Sequence, residues 1–394
     1  MKNTKSLGLA ATAAAVLLMG VDASAAYTLK KKIGDVDTKL DIYGFAQLEA
    51  RGGDAFINPD TQDASVKFGA QRIRLGWNYT AGKVRGKVFL DFNQPHTDSS
   101  GVGMPNMIKD AFVSYVQDDA LVLKVGLIKM PHGMSFTIPG WNLDIVERGF
   151  DKQLAMERNV GIMLSGRDMF LGNNGKVNGF EMGHERPWKG FGYDIMIGNQ
   201  AGRSGAVTAA KPGDANSYVG RVMFDYTEML HTELSYAISE NAGGLDKTAG
   251  AADQEDYKSL NFGIDSHFLD GANAKFEYFD SENLQGVKGW DESTMAFTGT
   301  YAINKYFEPA VKHIQGSAEK GGVSTKLGNT YVGLNLYISP FDDKMDRSSK
   351  RKRNAHRMQF DYVIASGDTD GAVQWNGLKG YKADGFLCQY QYKF

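Results

Sequence analysis

Cysteine is nearly missing: Cys388 is the only one in 394 residues, which leaves no internal disulfide and no cysteine-built metal site. Proline is scarce at nine residues, as suits long strands, because proline cannot donate to a β-ladder. There is no surplus of positive charge. Forty-four Lys and Arg stand against 46 Asp and Glu, for a net charge of −2, without the basic excess of a nucleic-acid binder. Long apolar runs are absent too. Beyond the first 25 residues nothing approaches the roughly 20 apolar positions of a membrane-spanning helix, and the mean hydropathy is −0.36. Catalytic signatures are lacking: the seven histidines are scattered, and no His-Glu-x-x-His, Gly-x-Ser-x-Gly or Walker loop occurs. No enzyme activity, cofactor or metal is therefore expected.

What is present begins with a leader. Lys2 and Lys5 precede the apolar run "SLGLAATAAAVLLMG", and "ASA" ends at Ala25. A charged start, a short apolar centre and a small-residue exit are the parts of a secretory signal. Residues 1–25 are read as that signal, 26–38 as a short periplasmic segment, and 39–394 as the folded body.

From Lys39 onward the chain alternates with a period of two, the period of strands. In "KLDIYGFAQLEAR", Leu40, Ile42, Gly44, Ala46 and Leu48 share one face, and Asp41, Tyr43, Phe45, Gln47, Glu49 and Arg51 the other. "QRIRLGWNYT" sets Ile73, Leu75, Trp77 and Tyr79 against Arg72, Arg74, Asn78 and Thr80. Similar stretches recur to the end of the chain, each near the 9–11 residues of a tilted membrane strand. A soluble β-sandwich could be written this way. The aromatics near strand ends, at Trp77, Tyr79, Tyr226 and Tyr392, instead fit the girdles of a transmembrane barrel. Closure then satisfies backbone groups that an open edge would leave orphaned in lipid. The fold class expected is all-β, a transmembrane antiparallel barrel.

Strand parity fixes the count, because short turns at one end alternate with long loops at the other. Turns are expected at Ala81–Gly82, Asp118–Asp119, Met229–Leu230, Asp270–Gly271 and Asn304–Lys305, and long loops at 52–64, 95–106, 131–157, 200–216, 241–256, 282–292, 316–327 and 367–384. Reading 168–190 as an extended turn gives sixteen strands, a size that leaves an aqueous channel. By the same parity the charge run at 342–357, with its basic core at 350–353, is a periplasmic turn.

"QRIRLGW", "DAFVSYV", "VGLIKMPHGMSF", "VERGF" with "ERNVGIMLSG", "SYVGRVMFDY", "AKFEYF" and "AFTGTYAINKYFEPAVKHIQ", then a Phe-terminated last strand, occur in an order that resembles the phosphate-selective porins O and P. The resemblance covers most of the chain after the leader. It implies a homotrimeric sixteen-stranded outer-membrane porin whose third loop folds inward and narrows the pore. Small hydrophilic solutes or ions would cross passively, anions such as phosphate among them. The alternative is an outer-membrane adhesin or structural barrel with no open channel. The partners implied are solutes and anions, outer-membrane lipid, lipopolysaccharide, the barrel-assembly machinery and further copies of the chain, with no nucleic acid.

The sequence departs from that family's dense arginine ladder, and Lys312 stands after "EPAV" where an arginine is expected. Pore-lining candidates on polar strand faces are Arg72, Arg74, Arg85, Lys87, Arg221, Lys275, Lys312, Glu49, Asp91 and Glu277. Charged rows set selectivity in pores, and with both signs present this wall is expected to be a poor anion filter. Loop 131–157 is the expected constriction, with Glu147, Arg148, Glu157 and Arg158 setting a field across it. In "FLCQYQYKF" the large residues alternate up to Phe394, which resembles the terminal signal read by assembly machinery.

Overall fold

The computed structural model describes residues 27–56, 66–94, 96, 104–169, 190–200, 215–226, 229–240, 255–267, 269–338, 355–367, 378 and 380–394. The expected leader, segment 170–189 and the basic run 350–353 lie outside the described residues. Among the described residues, alternation of apolar and polar residues becomes seventeen strands. They are β1 (Tyr27–Ile33), β2 (Val36–Gly52), β3 (Lys67–Ala81), β4 (Val84–Asp91), β5 (Ile108–Asp118), β6 (Leu121–Lys129), β7 (Arg158–Met169), β8 (Gly190–Asn199) and β9 (Asn216–Tyr226), followed by β10 (Leu230–Ser239), β11 (Tyr257–Ser266), β12 (Ala272–Glu282), β13 (Trp290–Tyr301), β14 (Phe307–Lys320), β15 (Val323–Tyr337), β16 (His356–Gly367) and β17 (Gly385–Lys393).

From β2 to β17 each strand pairs antiparallel with the next, and β17 pairs back onto β2 from Phe386↔Gly52 to Lys393↔Phe45. The result is a closed sixteen-stranded barrel. Phe394 completes the seam by exchanging backbone hydrogen bonds with Gly44 at 3.1 and 3.0 Å. β7 and β8 pair directly, from Gly161↔Gly198 to Met169↔Phe191.

Two expectations need correction. Residues 27–33, expected as a segment outside the barrel, form β1, which turns at Gly34–Asp35 and pairs with residues 36–42 of β2. The physical reason is an edge left open: β17 and Phe394 reach only down to Gly44, and β1 satisfies the backbone of β2 below that level. The long loop expected at 316–327 is instead a two-residue hairpin. Lys320 pairs with Val323, and Gly321 and Gly322 hold φ of 60° and 77°, the positive angles a type I′ turn demands.

The two faces separate by polarity. Val113, Ile195 and Val222 are more than half exposed on the outside, in line with large apolar side chains on nearly every strand. Inward positions are polar, as at Gln389 and Gln391 of β17, both fully buried. Cys388 lies on the outward, half-buried face of that strand.

The third long connection, 130–157, enters the barrel. It carries a short helix, Met134–Thr137, and 3-10 turns at Gly140–Asn142 and Phe150–Leu154. Ile145, Val146 and Phe150 pack on the inner wall with Ala310, Ile314, Leu327 and Val363, while Met130, Leu154 and Met156 pack with Met196, Val219, Tyr257 and Phe279. At roughly 1.5–3 kcal/mol per large apolar side chain buried, these contacts fix the loop inside. Gly149, at φ +90°, is needed for that approach: a Cβ there would stand 2.1 Å from Ile314 Cδ1.

Candidate functional site

Polar groups fasten the loop across the lumen. The Val146 amide donates to Asp361 of β16 (2.6 Å), and the Ser135 amide to Glu277 of β12 (3.1 Å). Asn335 and Arg357 hold the carbonyls of Asp144 and Leu143 at 2.9 and 2.7 Å. Lys275 pairs with Asp144, and Lys312 pairs with Asp151 at 3.5 Å and also donates to the Arg148 carbonyl. On the far side Gln47 and Gln391 donate to the carbonyls of Gly140 and Trp141 at 3.0 and 3.1 Å. The inward fold expected of 131–157 is therefore present, bonded to β2, β12 and β14–β17.

With the loop against those strands, the free space lies between it and the β2–β6 wall. A cavity of 1470 Å³ runs there, from Lys39, Asp41 and Lys393 at the short-turn end to Arg51 and Tyr381 at the other. Arg72, Arg74, Arg85, Lys87 and Asp91 line it from the wall, and Glu147, Arg148, Glu157 and Arg158 from the loop and the start of β7. These nine of the expected site residues are thus brought together. Glu49 sits beside them but not on the cavity, bonded to Arg51 at 2.8 Å.

Arg221, Lys275, Lys312 and Glu277 do not line the cavity, contrary to expectation. Lys275, Lys312 and Glu277 are consumed by the loop, as described above. Arg221 belongs to a buried network on β7–β10, bonded to Asp194 at 2.6 Å and Glu233 at 3.3 Å. Asp194 also takes Arg167 at 3.0 Å, and His231 bridges Asp225 and Glu233 at 2.6 and 3.1 Å.

That partition leaves the cavity basic. Twelve Lys and Arg line it, against Asp41, Asp91, Asp110, Glu147 and Glu157. Several cations are neutralised in place: Arg74 by Asp91 (2.9 Å), Lys87 by Asp110 (2.8 Å), and Arg158 by Asp110 and Glu157 (both 3.0 Å). The remainder is a positive excess along one wall. Arg148 and Glu157 keep their charges across neutral pH. Burial and the nearby Arg74 and Arg158 bring Arg148 down to about 10, still protonated near pH 7. Burial opposes ionisation of Glu157, but Lys152, Lys109 and Arg158 hold it well below the usual carboxylate range.

Other lining residues went unmarked in the sequence: Lys39, Arg51, Lys109, Lys129, Lys152 and Lys393, with the aromatics Tyr43, Phe89 and Trp141. Alternation carried a signal for part of this set, since Tyr43 and Arg51 share the inward face with Gln47.

No family model matches the sequence, and no curated protein matches it. Solved structures do. OmpF of Salmonella typhi, in complex with daunomycin, superposes with a TM-score of 0.61 at 12% identity, over 91% of this chain and 98% of that one. The chain has the porin fold. The anion-selective porin from Comamonas acidovorans gives a TM-score of 0.58 at 10% identity, over 91% and 100% of the two chains. The trimer form of OmpT, an outer membrane protein of Vibrio cholerae, gives 0.55 at 11% identity, over 91% and 99%. At such identities the likeness concerns the fold, and what the barrel does must be argued from its own residues.

Proposed function

We propose that this barrel is an outer-membrane porin that passes small hydrophilic anions by passive diffusion. The single observation that carries the reading is the lining of the cavity between the loop and the β2–β6 wall, twelve cations against five carboxylates. A channel wall of one dominant sign raises the local concentration of the opposite ion and lowers its barrier to entry. The apolar exterior and the closed seam suit a lipid environment, where every strand edge must be paired. A trimeric assembly and a role for Phe394 in recognition by assembly machinery belong to the same proposal. The anion-selective porin with this fold adds support by analogy. Phosphate, suggested by the sequence resemblance, enters as one candidate anion.

Planar-bilayer recordings of the purified protein test this. A reversal potential in a KCl gradient that favours chloride is expected; one that favours potassium would overturn the anion reading. An absence of conductance steps would leave a structural barrel, a reading that the loop's extensive packing in the lumen makes worth testing. Inhibition of chloride current by millimolar phosphate would place phosphate among the solutes.

A further inference from the structure

Arg51, Arg74 and Arg158 of the cavity meet carboxylates, whereas Arg72 and Arg148 have no carboxylate at ion-pair distance among the described residues. Both grip the same turn of the inward loop. Arg148 donates through Nη2 to the Ile138 carbonyl (2.5 Å) and through Nε to that of Ser135 (3.1 Å). Arg72 lies against Gly140, where a Cβ would stand 3.0 Å from its Nε. Its Nη1 donates to Gln47 Oε1 (2.6 Å), and Gln47 in turn donates to the Gly140 carbonyl. Two cations are thus held in the cavity by neutral acceptors, with no carboxylate in direct contact among the described residues.

The next residue of that turn is Trp141. It lines the cavity, is 9% exposed, and its indole N–H has no acceptor among the described residues. It stands edge-on to Phe45, Phe89 and Tyr43, at centroid distances of 5.2, 6.1 and 6.5 Å. Lys393 Nζ lies 4.8 Å from its ring centre, and Arg74 lies over both Phe45 and Phe89. An inorganic ion gains nothing from such an aromatic panel. A solute with a flat apolar body gains both burial and ring-to-ring contact there, and its carboxylate can take a guanidinium through two parallel hydrogen bonds.

We infer that Arg72, Arg148 and Trp141 form a binding subsite for aromatic carboxylates, where a planar ring lies against the aromatic panel and its carboxylate meets the two guanidiniums. The inference rests on the anion-channel reading for its role in transport, and it names the class of anion preferred.

Block of chloride current by benzoate, acetate and phosphate tests it on the wild-type protein. Benzoate is expected to halve the current at a concentration about three- to tenfold below that of acetate, the range an aromatic contact supplies. Equal potency of benzoate and acetate in an anion-selective channel would overturn the subsite and leave the channel reading standing. Arg72→Gln and Arg148→Gln should weaken block by both carboxylates. Trp141→Leu should weaken benzoate alone, and an unchanged benzoate-to-acetate ratio in that variant would also overturn the subsite. If the barrel carries no chloride current, the channel reading falls. Benzoate quenching of tryptophan fluorescence in the folded protein then decides the subsite: quenching that is lost in Trp141→Leu upholds it, and no quenching rejects it.

Discussion

On the β7–β10 wall the charges close on one another: Asp194 takes Arg167 and Arg221, and Glu233 takes Arg221 and His231. On the β2–β6 wall the same residue types remain in surplus positive charge around a cavity of 1470 Å³. Nearly balanced composition therefore says little about the field a solute meets. What decides it is where the carboxylates are spent. Burying an ion is costly unless it is paired, so the packed half of the lumen draws acids into pairs with its own cations and with the loop. The open half can leave cations to water and to passing anions.

The largest effect that would break this contrast is on the packed side. Asp194→Ala would remove the carboxylate that Arg167 and Arg221, both buried, share, and should cost about 3–5 kcal/mol of stability, measured by denaturant unfolding in detergent. If the variant folds, its reversal potential should stay near wild type, because the network does not touch the cavity. Lys275→Ala comes next. It leaves Asp144 of the loop buried without its cation, a loss of about 1–3 kcal/mol, and the loosened loop should raise single-channel conductance or current noise.

On the open side Arg85→Glu should change stability by less than about 1 kcal/mol at this half-exposed position, yet move the reversal potential toward cations. The contrast fails if Asp194→Ala shifts selectivity more than Arg85→Glu does. The smallest effect is of salt. As ionic strength rises from about 0.1 to 1 M the Debye length falls from about 10 to 3 Å, so chloride preference should decline with salt; a preference that does not change would point to pore size in place of charge.

Much of the fold was legible because alternation and parity are local. Ile73, Leu75, Trp77 and Tyr79 declared an outward face, and turns such as Ala81–Gly82 were marked by their own residues. The Gly321–Gly322 pair carried a hairpin signal too, obscured by the expectation of a long loop at that end. β1 was hidden for another reason. "YTLKKKI" holds three consecutive lysines, and its place depends on the part of the β2 edge that β17, distant in sequence, leaves uncovered. The site was legible only in part. Alternation places Arg72, Arg85, Arg221 and Lys275 on inward faces alike. It carries no information on which side of the lumen the loop will occupy, and that choice makes the first two line a cavity while Lys275 becomes an anchor.

The seam has a topological consequence. Opposite β2, Phe394 stands at the level of Gly44 and Tyr27 at that of Ile42, with both segments running in the same direction. Only the level of Tyr43 separates them, so one linking residue would join the last strand to β1 as a single continuous strand. The ring of strands could then be cut elsewhere, at the Gly321–Gly322 turn, to give a circular permutant whose every strand keeps its neighbours.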